Sequence, residues 1–252
     1  AIKEVKPLET AKPALSFSSN ALKVIAIVAM TIDHIAWAFV PTASVLGQVL
    51  HFVGRLTAPI MCWSIAQGYV HTRSFRTYLL RLAGFAVLSQ IPFSLFLTMG
   101  PFGHQLNVLY TLCLGLLAIR VQDKVADRGL RVLLTVLILV LSLAGDWAYY
   151  GVAMCLIFYT FRDRPAGRNR AMVLLAALMV LDMGLGPVLV DGRDLGRALF
   201  SSVMHLGVLG SLFFISRASG EKGRPLPGGR WFFYAYYPAH LLVLYFLQLW
   251  LL

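Results

Sequence analysis

The chain has 252 residues, 59% of them hydrophobic and 13% charged, with a mean hydropathy of +0.75; a soluble domain is about 45–50% apolar and about 25% charged, so a soluble globular fold is excluded. The formal charge of +11 would point to nucleic acid in a soluble protein, but here the Lys and Arg residues lie in short stretches between apolar runs, where they set membrane topology. Long unbroken apolar runs also exclude a β-barrel, whose strands alternate in polarity.

The expectation is therefore an all-α, polytopic helical membrane protein. The first twenty residues are polar and lack the apolar core of a signal peptide, so residues 1–20 read as a cytoplasmic N-terminal segment and 21–252 as a single transmembrane domain. About nine transmembrane segments follow in chain order, near 21–40, 47–70, 77–98, 105–120, 131–146, 147–162, 171–188, 197–216 and 231–251. The second reads as a short piece over Val45–Arg55 followed by a helix from Pro59. The fifth and sixth are short and meet around Gly145 and Asp146. With nine segments, 19 of the 22 basic residues fall on one side, leaving Arg55, Arg193 and Arg197 on the other. That asymmetry predicts a cytoplasmic N-terminus and a periplasmic C-terminus. Cys62, Cys113 and Cys155 fall in apolar runs without metal-ligand spacing and read as packing residues.

Ionisable residues inside these runs are costly and call for partners within the bundle. Asp33 and His34 are adjacent in the first segment, just past its middle. Arg55 lies where the second segment bends, Gln90 in the third, Asp182 in the seventh, His205 in the eighth and His240 in the ninth. Asp146 reads as a helix cap or a water-facing residue, and Asp182 as a helix-end residue near the headgroups. Adjacent helical residues point about 100° apart, so Asp33 and His34 each need a partner on another helix. Arg55 suits Asp33, and His240 suits His34. A structural ion pair and a reactive centre both satisfy that pattern. A near-neutral His can take a proton from an amine or hydroxyl, a carboxylate can hold its tautomer, and an Arg can steady an oxyanion. The sequence contains no HExxH, no GxSxG and no Gly-rich phosphate loop.

The order of motifs resembles the TraX family, whose plasmid-borne members acetylate conjugative pilin subunits. The stretches that carry the resemblance are LKVIAIVAMTIDHIAW (22–37), FVGRLTAPIMCW (52–63), GYVHTRSFRTYLLRL (68–82), SQIPFSL (89–95), LNVLYTLCLGLLAI (106–119), YYGVAMCLIFY (149–159) and FFYAYYPAHLLVL (232–244). The resemblance implies an integral acetyltransferase of the bacterial inner membrane that uses cytoplasmic acetyl-CoA as donor. Its acceptor would be the N-terminal amine of a pilin subunit, with membrane lipid around it. Asp33 and His34 would be the reactive pair, with His34 as general base or transient acetyl carrier; Arg55 and His240 would line the same cavity. His71, Thr72 and Arg73 would stand at the donor entrance, with Arg76 and Arg81 on the CoA phosphates. A glycan hydroxyl as acceptor, a proton-coupled transporter and a noncatalytic pilin-assembly factor are the competing readings. Thermal stabilisation by CoA separates the enzymatic readings from a carrier, unchanged pilin mass with pili lost in a deletion strain would mark an assembly factor, and His34→Ala should abolish acetyl transfer while expression persists.

Overall fold

The computed structural model describes residues 15–229 and 231–251. Most of the N-terminal segment, with Lys3, Lys6 and Lys12, therefore lies outside the described residues, as does Arg230. The described residues form helices α1 (Ser19–Phe39), α2 (Val45–Gly54), α3 (Thr57–His71), α4 (Phe75–Thr98), α5 (Val108–Lys124), α6 (Arg128–Ser142), α7 (Ala148–Thr160), α8 (Pro165–Asp191), α9 (Leu195–Ser202), α10 (Ser211–Ile215) and α11 (Trp231–Leu251), with a 3₁₀ stretch over Val203–Gly210 between α9 and α10. Short polar side chains start several of them. Ser18, Ser44, Ser74, Asn107, Asp127 and Asp194 each accept a backbone N–H two or three residues on. These caps satisfy donors that the first turn leaves open, and they place helix starts at the loops between apolar runs.

Helix covers all nine apolar segments read from the sequence. Among the described residues, six stretches are long and apolar enough to cross a membrane: Ser19–Phe39, Val45–His71, Phe75–Thr98, Pro165–Asp191, Leu195–Ile215 and Trp231–Leu251. The other three correspond to α5, α6 and α7, of 17, 15 and 13 residues. Large apolar side chains such as Val87, Leu133, Val136, Leu189 and Phe246 stand exposed around the bundle, as a lipid-facing surface requires. The protein is a multi-pass helical membrane protein.

Two elements depart from uninterrupted spans. The second breaks at Arg55 and Leu56, and Pro59 sits in the first turn of α3, where its missing N–H costs nothing. The eighth narrows to the 3₁₀ stretch because Gly207 packs on the carbonyl of Phe52 and on the Arg55 side chain, leaving no room for a Cβ. A 3₁₀ turn rises about 2.0 Å per residue against about 1.5 Å, so this stretch gains length while staying thin. Asp182, expected at a helix end, instead lies inside α8, which continues to Asp191. Its Oδ2 accepts the Tyr149 and Tyr150 hydroxyls at 2.7 Å each.

The dry centre is the seam between α3, α5 and α7. All three cysteines are buried there and free, and the Cys62 thiol donates to the Gly151 carbonyl at 3.4 Å. A Cβ added at Gly115 would press on Cys155, whereas one added at Gly84 would meet nothing within 4 Å. Small residues let membrane helices approach closely, and that approach replaces the hydrophobic drive that lipid removes. Gly115→Val is expected to cost about 1–3 kcal/mol through overpacking, and Gly84→Val to be neutral. Thermal unfolding in detergent measures both; equal midpoints would mean that the seam is not close-packed.

The ends of the bundle sort by composition. At one end Asp123 of α5 accepts the hydroxyls of Tyr69 (α3) and Tyr159 (α7), each at 2.7 Å. At the same end the loop after α10 lies along the start of α1, through Phe17 N–H to Arg217 O (2.9 Å) and Ser19 N–H to Glu221 O (2.8 Å). This is the end that gathers the basic loops. At the other end the loops before α5 and α7 meet, with Leu106 N–H on Ala144 O (2.8 Å) and Asp146 N–H on Leu106 O (2.7 Å).

Candidate active site between α1, α2 and α11

Asp33 and His34 leave α1 toward different neighbours, as the helical turn between adjacent residues dictates. Asp33 meets α2. Its Oδ1 accepts His51 Nδ1–H at 2.9 Å, and Arg55 Nη2 lies 3.3 Å from both carboxylate oxygens. His51 and Arg55 are one helical turn apart on α2, so both reach the same carboxylate. Gly54 makes this possible, because a Cβ there would collide with the Asp33 carboxylate. Arg55 also stacks its guanidinium over the Trp147 ring at 5.0 Å, and its Nε–H is buried with no acceptor.

His34 meets α11. Its Nδ1 lies 2.8 Å from Nε2 of His240, and the two rings stack with centroids 5.0 Å apart. The partners of His240 fix the protons. Its Nδ1 lies 3.0 Å from the Tyr236 carbonyl, which can only accept, so Nδ1 of His240 carries hydrogen. With both rings neutral, His240 Nε2 is then an acceptor and His34 Nδ1 the donor. That leaves Nε2 of His34 as a bare lone pair. The Tyr236 ring stacks on His240 at 5.1 Å. The Thr31 hydroxyl donates to Ile27 O, so the Tyr236 hydroxyl donates to Thr31 Oγ1 at 2.7 Å. The α1–α11 contact is thus a hydrogen-bonded chain ending on His34.

Asp33, His34 and Arg55 share the wall of one cavity of about 310 Å³ with Asp146, Trp147 and an aromatic lining that includes Phe96 and Phe233. The cavity wall therefore carries an imidazole that can accept a proton, a cation anchored by Asp33, and a large apolar surface. Such a set suits acid–base chemistry on a polar group carried in on an apolar body. Asp146, read as a helix cap or a water-facing residue, lines this cavity. His205 does not join it: the 3₁₀ stretch turns its Nδ1 back onto Ser202 O at 3.0 Å.

The five residues read as donor contacts fall in separate places. Thr72 and Arg73 line a second cleft, of about 510 Å³, with Tyr69, Arg120, Lys124 and Arg162. There the Tyr69 and Tyr159 hydroxyls and Lys124 hold the Asp123 carboxyl down to about 2, so it stays anionic and offsets one cation. His71 and Arg76 are exposed beside it on α3 and α4. Arg81 turns away to α11, where its Nε–H donates to the Tyr234 hydroxyl at 3.3 Å. Between this cleft and His34 lies the buried seam of Ala66, Leu116 and Phe158.

Sequence reasoning overlooked His51. It sits in an apolar run as Asp33 and His34 do, four residues before Arg55 in LHFVGR, and that spacing was the available signal. It is fully buried, with Nε2 unpartnered and its ring 4.6 Å from Trp37.

Fold and site together define a multi-pass membrane protein with a histidine, carboxylate and arginine centre buried in its bundle. The chain belongs to the TraX family, matching the description "TraX protein" over residues 18–248. It is 32% identical over 241 residues to the "Probable fimbrial assembly protein FimC, serogroup H1" of Dichelobacter nodosus, covering 91% of this chain and 95% of that protein. No solved structure matches the chain.

Proposed function

We propose that the protein is a membrane acetyltransferase that moves the acetyl group of acetyl-CoA to the N-terminal amine of a pilin subunit. The observation that carries this reading is the bare Nε2 of His34, set on the cavity wall by a chain of partners that leaves it one tautomer. In this mechanism the acceptor amine, held neutral in the cavity, attacks the thioester carbonyl. Nε2 of His34 takes the proton that the amine releases, the C–N bond forms, and the C–S bond breaks. The proton then passes to the departing thiolate. The Arg55 guanidinium, held on the cavity wall by Asp33, is suited to the oxyanion that forms in between. His51 and Arg55 hydrogen-bond the Asp33 carboxylate, and Asp33 in turn holds Arg55 at the cavity.

With the end that gathers the basic loops facing the cytoplasm, as the bias of positive charge to that side favours, nine crossings put the N-terminus inside and the C-terminus outside the inner membrane. The donor then arrives on the cytoplasmic side, and an exported pilin N-terminus on the other. The fimbrial assembly name of the Dichelobacter relative supports a pilin acceptor. The test is to incubate the purified protein in nanodiscs with acetyl-CoA and two acceptors, a synthetic peptide bearing a pilin N-terminus and an N-blocked copy. The expected result is acetylation of the free peptide alone, read by mass spectrometry. No acetylation of either peptide by folded protein would overturn the pilin-acetylation reading.

A further inference from the structure

A second group of cations lies toward the end of the bundle that gathers the basic loops, on the side of the cavity that holds His34. Lys23 lies on the same face of α1 as Met30 and His34, about two and three turns before them, and its ammonium sits 5.3 Å from the centroid of the Phe233 ring. Phe233 and Met30 both line the cavity. Lys222 is brought to the same end of α1 by the loop that pairs with Asn20, and Arg81 reaches Tyr234, the neighbour of Phe233 on α11. Arg81 is held by rings as well, 5.4 Å from the Tyr78 centroid and 5.5 Å from that of Tyr234.

This gathering of like charge is built by the backbone. The loop carrying Lys222 is pinned along the start of α1 by Ser19 N–H to Glu221 O (2.8 Å), Asn20 N–H to Lys222 O (3.1 Å) and Asn20 Nδ2 to Arg224 O (2.8 Å). Gly223 allows the approach: its φ is +79°, and a Cβ there would strike Ser18. Holding three cations together opposes folding unless an anion is bound between them.

We propose that Lys23, Arg81 and Lys222 bind the phosphates of the nucleotide-linked acyl donor, whose arm runs up the cavity between α1, α4 and α11 to His34. The inference rests on the acetyl-CoA reading and adds where the donor enters. Reach agrees with it. Eleven residues separate Lys23 from His34, about 16 Å at about 1.5 Å per residue. The pantetheine arm, with roughly four residue-lengths of extended chain at about 3.5 Å each, covers about 14 Å. The cleft at Thr72 and Arg73 has no such route, since the dry seam of α3, α5 and α7 lies between it and His34.

The test measures binding of coenzyme A and of adenosine 3′,5′-bisphosphate to the full protein in phosphatidylcholine nanodiscs. Wild type is compared with Lys23→Gln/Lys222→Gln and with Arg120→Gln/Arg162→Gln, each checked for folding by its thermal midpoint. The first variant loses mutual repulsion, so it is expected to fold. Its affinity for both ligands should fall about tenfold or more, as for lost charge-assisted contacts, while the second variant binds as wild type does. Equal binding by wild type and the first variant, or weakening only in the second, overturns the proposal and leaves the acetyl-CoA reading standing. No binding by folded wild type overturns both. Stabilisation by phosphatidylglycerol that needs Lys23 and Lys222, without nucleotide binding, assigns the cations to a lipid headgroup and also overturns it.

Discussion

Replacing His34 with Ala is expected to lower acetyl transfer by about 10²- to 10⁴-fold, the range a positioned general base supplies, with little loss of folded protein. The argument runs through one ring. His34 contributes a bare Nε2 to the cavity only because its Nδ1–H is donated to His240. His240 can accept that hydrogen only because its own Nδ1–H is spent on the Tyr236 carbonyl. His240→Phe should therefore also lower the rate, since it leaves the His34 Nδ1–H without an acceptor and frees the ring to present either nitrogen. His240→Gln, which restores a carbonyl acceptor, should recover part of it. Rates across a pH series separate the roles. Loss of His34 removes the acidic limb, the fall in rate as the proton acceptor is protonated, whereas loss of His240 leaves that limb displaced along the pH axis. Full activity in His34→Ala would remove it from the chemistry. Equal losses in His240→Phe and His240→Gln would show that His240 acts through packing alone.

Asp33→Asn is expected to destabilise the protein by about 3 kcal/mol. The carboxylate is the shared partner of Arg55 and His51, both buried. An amide leaves a guanidinium in the bundle without its counter-charge, and breaking a buried pair from one side costs about 3–5 kcal/mol. The guanidinium cannot retreat to water, because α2 is fixed by Gly207 against Phe52 and by Gly54 against Asp33. Asp33→Asn/Arg55→Met removes the stranded charge and should regain much of the lost stability while remaining inactive. Thermal unfolding of the four proteins in detergent gives the coupling between the two residues. Additive losses would mean that the ion pair is incidental to the fold, and activity in the double variant would remove Arg55 from the mechanism.

Much of the architecture is legible along the chain. Apolar runs of near bilayer length, ended by Ser, Asn and Asp caps, mark where helices begin and stop, and the clustering of Lys and Arg between alternate runs marks which loops share a side. Asp33, His34, Arg55 and His240 were visible for the same reason: an ionisable group in an apolar run is costly enough to stand out. The Val45–Arg55 piece and the helix beginning near Pro59 were legible because Pro lacks the donor that a helix interior needs.

The chain by itself determined which apolar run carries each polar residue and, where the helix bounds were read correctly, how far along it the residue stands, since position along a helix is a count of residues at a fixed rise. Only the tertiary structure decided what each one faces, because that depends on how one helix is rotated against another. The His34–His240 contact joins residues 206 apart, and no local pattern encodes the azimuth that brings them together. The same rotation puts His51 beside Asp33, turns His205 away, and divides the basic residues between a cleft behind the buried seam and the loop along the start of α1. Helix packing, set by glycines such as Gly54, Gly115 and Gly207 that admit a neighbouring backbone or side chain, brought costly residues from separate helices onto one cavity wall.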